Sequence, residues 1–196
     1  MVNPDYKLGY QQEGEKMGKP KVASDWMAGC AGCHMSFLDI DERIFQLVEL
    51  VDIRATPITD LKEPDIDGVD VGILEGGINN TSNEEQAIRM RERCKILVAL
   101  GDCAVFGGVP AMRNFFTIEE SLRRAYIETE STDSEGMIPK DPELCIPTRV
   151  RALHEVVPVD IFIPGCPPEA DVIFYALSEL AQGRMPELKD KYLHWH

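Results

Sequence analysis

Five short apolar runs, at residues 21–27, 51–58, 69–74, 95–100 and 159–163, alternate with helical patterns, and this alternation restricts the fold more than any other feature of the chain. Strands separated by helical crossovers pair in parallel, and the helices cover both faces of the sheet. The run Ile96-Leu97-Val98-Ala99-Leu100 is apolar at every position, as a strand buried on both faces requires. Between the first two runs, apolar residues at 37, 40, 44, 47, 48 and 51 form one stripe of a helix expected over Ser36–Val51, with Asp39, Glu42, Arg43, Gln46 and Glu49 opposite. Ser82-Asn83-Glu84-Glu85 and Thr117-Ile118-Glu119-Glu120 have capping-box spacing and predict two more helix starts. The first helix would bear Ala87, Met90 and Cys94, and the second Ile118, Leu122, Ala125 and Tyr126 on one side. A last helix is expected from Glu169 to about Ala181. The pattern predicts an α/β, flavodoxin-like, doubly wound parallel sheet of about five strands in the order 2-1-3-4-5. An irregular excursion rich in Asp, Glu, Ser and Pro, at about 129–148, precedes the last strand. The expected organisation is an N-terminal arm at 1–20, one domain at 21–182 and a tail at 183–196.

Composition narrows the partners. With 34 acidic against 20 basic residues the formal charge is −14, which argues against nucleic acid and anionic membranes, because phosphate binding depends on clustered Lys and Arg. The first twenty residues contain no apolar signal core and the first arginine is Arg43, so neither an ordinary secretory nor a twin-arginine signal is read and a cytoplasmic location is expected. No apolar run approaches the length that spans a bilayer. In a reducing compartment the six cysteines are not a disulfide framework, which leaves metal binding, redox chemistry or burial.

The placement of these cysteines is informative. Cys30 and Cys33 follow the first strand candidate, Glu75 the third, Cys103 the fourth and Cys166 the fifth. In an open parallel sheet, ligands bind at the carboxyl ends of the strands, so four cysteines distant in sequence can meet there. Gly29, Gly32, Gly101 and Gly165 accompany them, and small residues let backbone N–H groups approach the sulfides of an iron-sulfur cluster. Four thiolates also suit structural zinc, whose usual signature is two Cys-x2-Cys pairs rather than one pair and two singles. Cys30-Ala31-Gly32-Cys33 also fits a thioredoxin-like pair at a helix start, and with His34 it fits a c-type haem attachment. The thiol reading leaves Cys103 and Pro164-Gly165-Cys166-Pro167-Pro168 without a role, and the haem reading requires export.

Taken together, Cys30-Ala31-Gly32-Cys33, Glu75-Gly76-Gly77-Ile78, Gly101-Asp102-Cys103 with Gly107-Gly108, and Pro164-Gly165-Cys166-Pro167-Pro168 resemble the small subunit of nickel-iron hydrogenases over about residues 20–182. The resemblance implies that Cys30, Cys33, Cys103 and Cys166 ligate one 4Fe-4S cluster, and that the nickel-iron centre sits in a separate large subunit. Longer small subunits of the family hold further clusters in a C-terminal extension; here no cysteine follows Cys166. The related complex I subunit has adjacent cysteines where this chain has Cys30 and Cys33, so the spacing favours hydrogenase. The chain is similar in kind to the cytosolic, bidirectional, NAD-reducing branch, whose small subunit passes electrons to diaphorase subunits with flavin and iron-sulfur clusters. Deazaflavin-reducing and sulfur-reducing hydrogenases share the fold. FMN is permitted at the sheet edge by the architecture, with no residue that supports it.

Other candidates carry plainer readings. Glu75, an acid beside two glycines at a buried edge, is a candidate for a subunit interface or a proton path, as is His34 beside the cysteine loop. Trp26 and Phe37 flank that loop as shields or as core. Cys94 reads as a small buried side chain, Cys145 as a loop cysteine, and His154, His194 and His196 as structural or solvated. Arg89, Arg91, Arg93 and Lys95 read as a solvated helix surface.

Overall fold

The computed structural model describes residues 18–64, 66–133, 135–141, 143–189 and 192. His194 and His196 lie outside the described residues. Strand β1 (Lys21–Trp26) leads through the cysteine loop to helices α1 (Gly32–Leu38) and α2 (Arg43–Leu50), then β2 (Asp52–Ala55) and β3 (Val69–Glu75). A short β4 (Ile78–Asn80) precedes α3 (Thr81–Arg93), β5 (Cys94–Leu100) and α4 (Gly101–Phe106). After a 3-10 segment (Val109–Phe115) come α5 (Ile118–Tyr126), β6 (Pro147–Arg151), β7 (Ile161–Ile163) and α6 (Ala170–Ala181).

The main sheet is parallel throughout, in the order β2-β1-β3-β5-β7, which is the expected 2-1-3-4-5. Its register sets Trp26 beside Glu75, Glu75 beside Leu100 and Leu100 beside Ile163. The strand ends are therefore level, and the segments that follow leave one common edge. One face packs Val22, Ile73 and Val98 against Leu47 of α2 and Ile173, Leu177 and Leu180 of α6. The other packs Ala23, Leu74, Leu97 and Ala99 against Ala87 and Met90 of α3 and Ala104 of α4. The double cover accounts for the uninterrupted hydrophobicity of β3 and β5.

Several local expectations are corrected. The stripe over 36–51 is two helices: α1 starts at Gly32 and the chain turns at 39–42, where Asp41 adopts φ 57°, a left-handed conformation that ends a helix. Ile40, Leu47 and Val51 remain buried, so the stripe marks the core correctly while missing the break. Helix α3 is capped by Asn80, whose side chain accepts the Asn83 N–H at 2.8 Å, and Ser82 lies inside the helix. Such a cap stabilises by about 1 kcal/mol. Cys94 opens β5 and is not on α3. The Thr117 capping box is present, yet α5 buries none of its residues, and Ile118 and Tyr126 are exposed. Near its end the excursion becomes β6, antiparallel to β4 in a second, two-stranded sheet. Beyond 183, Leu188 and Tyr192 pack against the core.

Candidate metal centre

Beyond β1 the chain crosses to the turn after β3. The Met27 N–H donates to the Glu75 carbonyl at 2.8 Å, and Ala28 and Gly77 exchange backbone hydrogen bonds of 3.0 and 2.8 Å. Ala31, at φ 62°, then starts α1, so Cys33 and His34 stand in its first turn. No local side chain caps that helix. Glu75 does so from 41 positions away: its Oε1 accepts the Cys33 N–H at 3.2 Å and its Oε2 the His34 N–H at 2.9 Å, satisfying two of the amides that a helix start leaves open.

Glu75 is 2% exposed and His34 is 3% exposed. The Glu75 Oε2 lies 2.5 Å from His34 Nδ1, and His34 Nε2 lies 3.0 Å from Ser24 Oγ, which donates to Thr56 Oγ1 at 2.9 Å. Burial pushes the Glu75 pKa up, but the hydrogen bond and charge of His34 and the backbone amides of His34 and Cys33 outweigh it and hold the carboxyl below its usual value. His34 is thus part of the scaffold of the cysteine loop. Trp26 meets it edge-on at 5.4 Å and is itself 36% exposed, while Phe37 packs against the core.

The other two cysteine segments are joined to each other and to α1. The Asp102 N–H donates to the Gly165 carbonyl at 2.9 Å, and the Gly165 N–H donates to Asp102 Oδ1 at 2.7 Å. Ser36 Oγ donates to the Pro168 carbonyl at 2.5 Å. The Cys166–Pro167 peptide is cis. Cys33 is buried, Cys103 half-buried, and Cys30 and Cys166 exposed, all with free thiols.

Their proximity shows in their electrostatics. The Cys33 pKa is pushed up first by burial and then by the negative charge of Glu75, Cys103, Cys30 and Cys166. That of Cys103 is raised by burial, opposed by a hydrogen bond from the Val109 backbone, and raised again by Cys166, Cys30 and Glu75. Thiolates this crowded need a positive counter-charge, which a metal core provides, and a coordinating thiol gives up its proton.

Glycines leave the sulfurs room. A Cβ on Gly101 would lie 2.2 Å from Cys33 Sγ, one on Gly108 2.9 Å from Cys103 Sγ, and one on Gly32 3.1 Å from Cys30 Sγ. Gly101 also holds φ +82°, which an L side chain rarely adopts. The Gly32 N–H donates to Cys30 Sγ at 3.4 Å. A donor set of thiolates, approached by amides and walled by glycine, fits an iron-sulfur cluster.

Cys94 and Cys145 are not brought to this edge. Cys94 begins β5 at the opposite end of the sheet, and Cys145 is exposed in the excursion. The basic side chains nearby are paired: Arg91 with Asp160 at 2.6 Å, Lys95 with Asp70 at 2.7 Å, and Arg89 and Arg93 with Glu63 at 3.5 and 3.8 Å. His154 stacks edge-on with Phe162 at 5.9 Å. Asp102, Ser24, Ser36 and Thr56 join the site without standing out in the sequence. Of these only Asp102, wedged between Gly101 and Cys103 at a strand end, carries a local signal.

The open parallel sheet gathers four cysteines, a buried acid and their glycines at its carboxyl edge, and the chain that builds it belongs to the family of the NADH ubiquinone oxidoreductase 20 kDa subunit, whose model matches residues 30–180. Proteins to which it is similar include hydrogenase subunits. It is 43% identical over 170 residues to the NAD-reducing hydrogenase HoxS subunit delta of Cupriavidus necator, spanning 85% of this chain and 81% of that one. It is 40% identical to a subunit of the F420-non-reducing hydrogenase of Methanothermobacter thermautotrophicus, covering 89% of this chain but only 58% of that relative. Among solved structures, a chain of an NAD+-reducing [NiFe]-hydrogenase in the H2-reduced state superposes with TM-score 0.86 at 38% identity, covering 91% of this chain and all of that one. A [NiFeSe]-hydrogenase chain from Dm. baculatum, at TM-score 0.56 and 17% identity, shares the fold.

Proposed function

We propose that this chain is the electron-transfer small subunit of an NAD-reducing nickel-iron hydrogenase, with Cys30, Cys33, Cys103 and Cys166 holding one 4Fe-4S cluster. The observation that supports this most is the glycine-walled convergence of those four cysteines at a single sheet edge. When bound, such a cluster supplies one-electron transfer. The chain's own residues do the rest: Glu75 anchors the helix that bears Cys33, the Asp102–Gly165 pair fixes the spacing of Cys103 and Cys166, and the Gly32 and Val109 amides donate to sulfur. In the assembled enzyme, H2 would give up two electrons and two protons at the nickel-iron centre of the large subunit, and the electrons would leave through a diaphorase module to NAD+.

The partner surface follows from exposure. Phe106, Val109, Met112, Phe115 and Phe116 are all exposed in the segment that follows Cys103 in the chain, with Phe115 at 86%. An apolar patch of this kind next to a redox site is what a large subunit would cover. Among the described residues no helix is long and apolar enough to cross a membrane. A cytoplasmic location belongs to the same reading, because the proposed acceptor, NAD+, is met there. The 40% identity to an F420-non-reducing relative supports a second reading in which the acceptor is not NAD. Anaerobic copurification tests both: a nickel-containing subunit and a flavin subunit that reduces NAD with H2, together with about four iron and four sulfide on this chain once it is separated from them, is the expected result. An iron-free chain that reduces disulfides through Cys30 and Cys33 would overturn the cluster assignment, and a complex without NAD reduction would move it to the second reading.

A further inference from the structure

An apolar cavity of about 300 Å³ lies between the main sheet and helices α1, α2 and α6. Phe37, Leu47, Ile73, Val98, Ile173 and Leu177 form much of its wall. Its lining includes no Asp, Glu, Lys or Arg, and its polar atoms come from Ser24, His34, Thr56 and Thr59. Left empty, an apolar void of this size forfeits packing energy that is large against the stability of a whole domain, and a void this apolar does not hold water well. Thr59 and Leu38 line it and are also exposed, so the cavity reaches the surface beside the 56–61 loop.

The polar end is specific. Ser24 bridges His34 and Thr56, and Thr56 Oγ1 accepts from Ser24, which leaves the Thr56 proton free to donate inward. The lining holds no Lys or Arg, His34 is engaged by Glu75 and Ser24 at its two nitrogens, and the first amides of α1 are taken by Glu75, so no free cation or amide here would neutralise the phosphate of a flavin mononucleotide. We propose that this cavity binds an uncharged one- or two-ring molecule bearing a single hydrogen-bond-accepting oxygen, with the Thr56 hydroxyl as its donor. The lining shares His34 with the scaffold of the cysteine loop but includes none of the four cysteines, and its occupancy is measured without reference to the cluster assignment.

Titration of the purified full chain with 1-indanone and with indane, the same skeleton without the oxygen, followed by calorimetry and thermal shift, tests this. Saturable binding of indanone, about three- to tenfold tighter than indane as one neutral hydrogen bond allows, is expected. Thr56→Val should remove the preference while indane binding persists, and Val98→Phe should abolish binding of both by filling the space. If Val98→Phe does not fold, the Thr56→Val comparison decides alone. Failure of both ligands to saturate the native chain would overturn the proposal, as would equal affinities unaffected by Thr56→Val.

Discussion

The two ends of β5 place the same residue type in opposite settings. At the amino end, Cys94 is packed against Gly72 and Met90, under a clamp in which Arg91 donates to the Cys94 and Lys95 carbonyls and pairs with Asp160. At the carboxyl end, Cys103 lies beside glycine, near three other thiols, and receives a backbone hydrogen bond. Both sulfurs lie against a glycine; one end is closed by ion pairs and side chains, while the other gathers further thiols. On the proposed assignment, a cysteine becomes a ligand through the edge it occupies and the space around its sulfur, since the residue itself is the same.

That contrast can be broken experimentally. Cys103→Ser or Cys166→Ser should have the largest effect, removing most of the iron carried by the separated chain and, in the assembled enzyme, the H2-dependent reduction of NAD, whereas Cys94→Ser should retain both; iron analysis with activity assays would reveal the reverse pattern if the assignment is wrong. Gly101→Ala should follow, since it places a methyl against Cys33 Sγ at a positive φ; a backbone cost of about 1–3 kcal/mol, read by chemical denaturation, should accompany loss of cluster. Glu75→Ala leaves two buried amides and His34 without their acceptor, at about 1–3 kcal/mol, and Glu75→Gln should recover part of this because its carbonyl still accepts. Cys94→Ala should cost only about 1 kcal/mol. Burial pushes the Cys94 thiol up to about 11, so at pH 8 it stays protonated and should resist alkylation in the native state while exposed Cys145 is labelled, a difference that mass spectrometry resolves.

The sheet order and the four converging cysteines are legible in the sequence because they depend on strand-scale hydrophobicity and on where strands end. The break at Asp41 is not, because a helical stripe continues through a turn that keeps Ile40 buried. The Asn80 cap is masked by Ser82, which offers the same spacing two residues later. Strand β6 is hidden because Pro147-Thr148-Arg149-Val150-Arg151 has little apolar pattern; β4 and side chains such as Asn114, which exchanges hydrogen bonds with Val150, hold it. Glu75 shows its oddity as an acid at a buried edge, but its partner lies 41 positions away, beyond the reach of any local pattern.

The mutual bonds of the cysteine loops bear on how such a subunit is matured. Asp102 with Gly165, Ser36 with Pro168, and Ala28 with Gly77 join the segments without using a single sulfur. With the proposed cluster, assembly would be delivery to a finished receptacle, separable in time from folding. Slow amide exchange at Asp102 and Gly165 in the iron-free chain is the expected sign, and fast exchange there would mean that metal and fold arrive together.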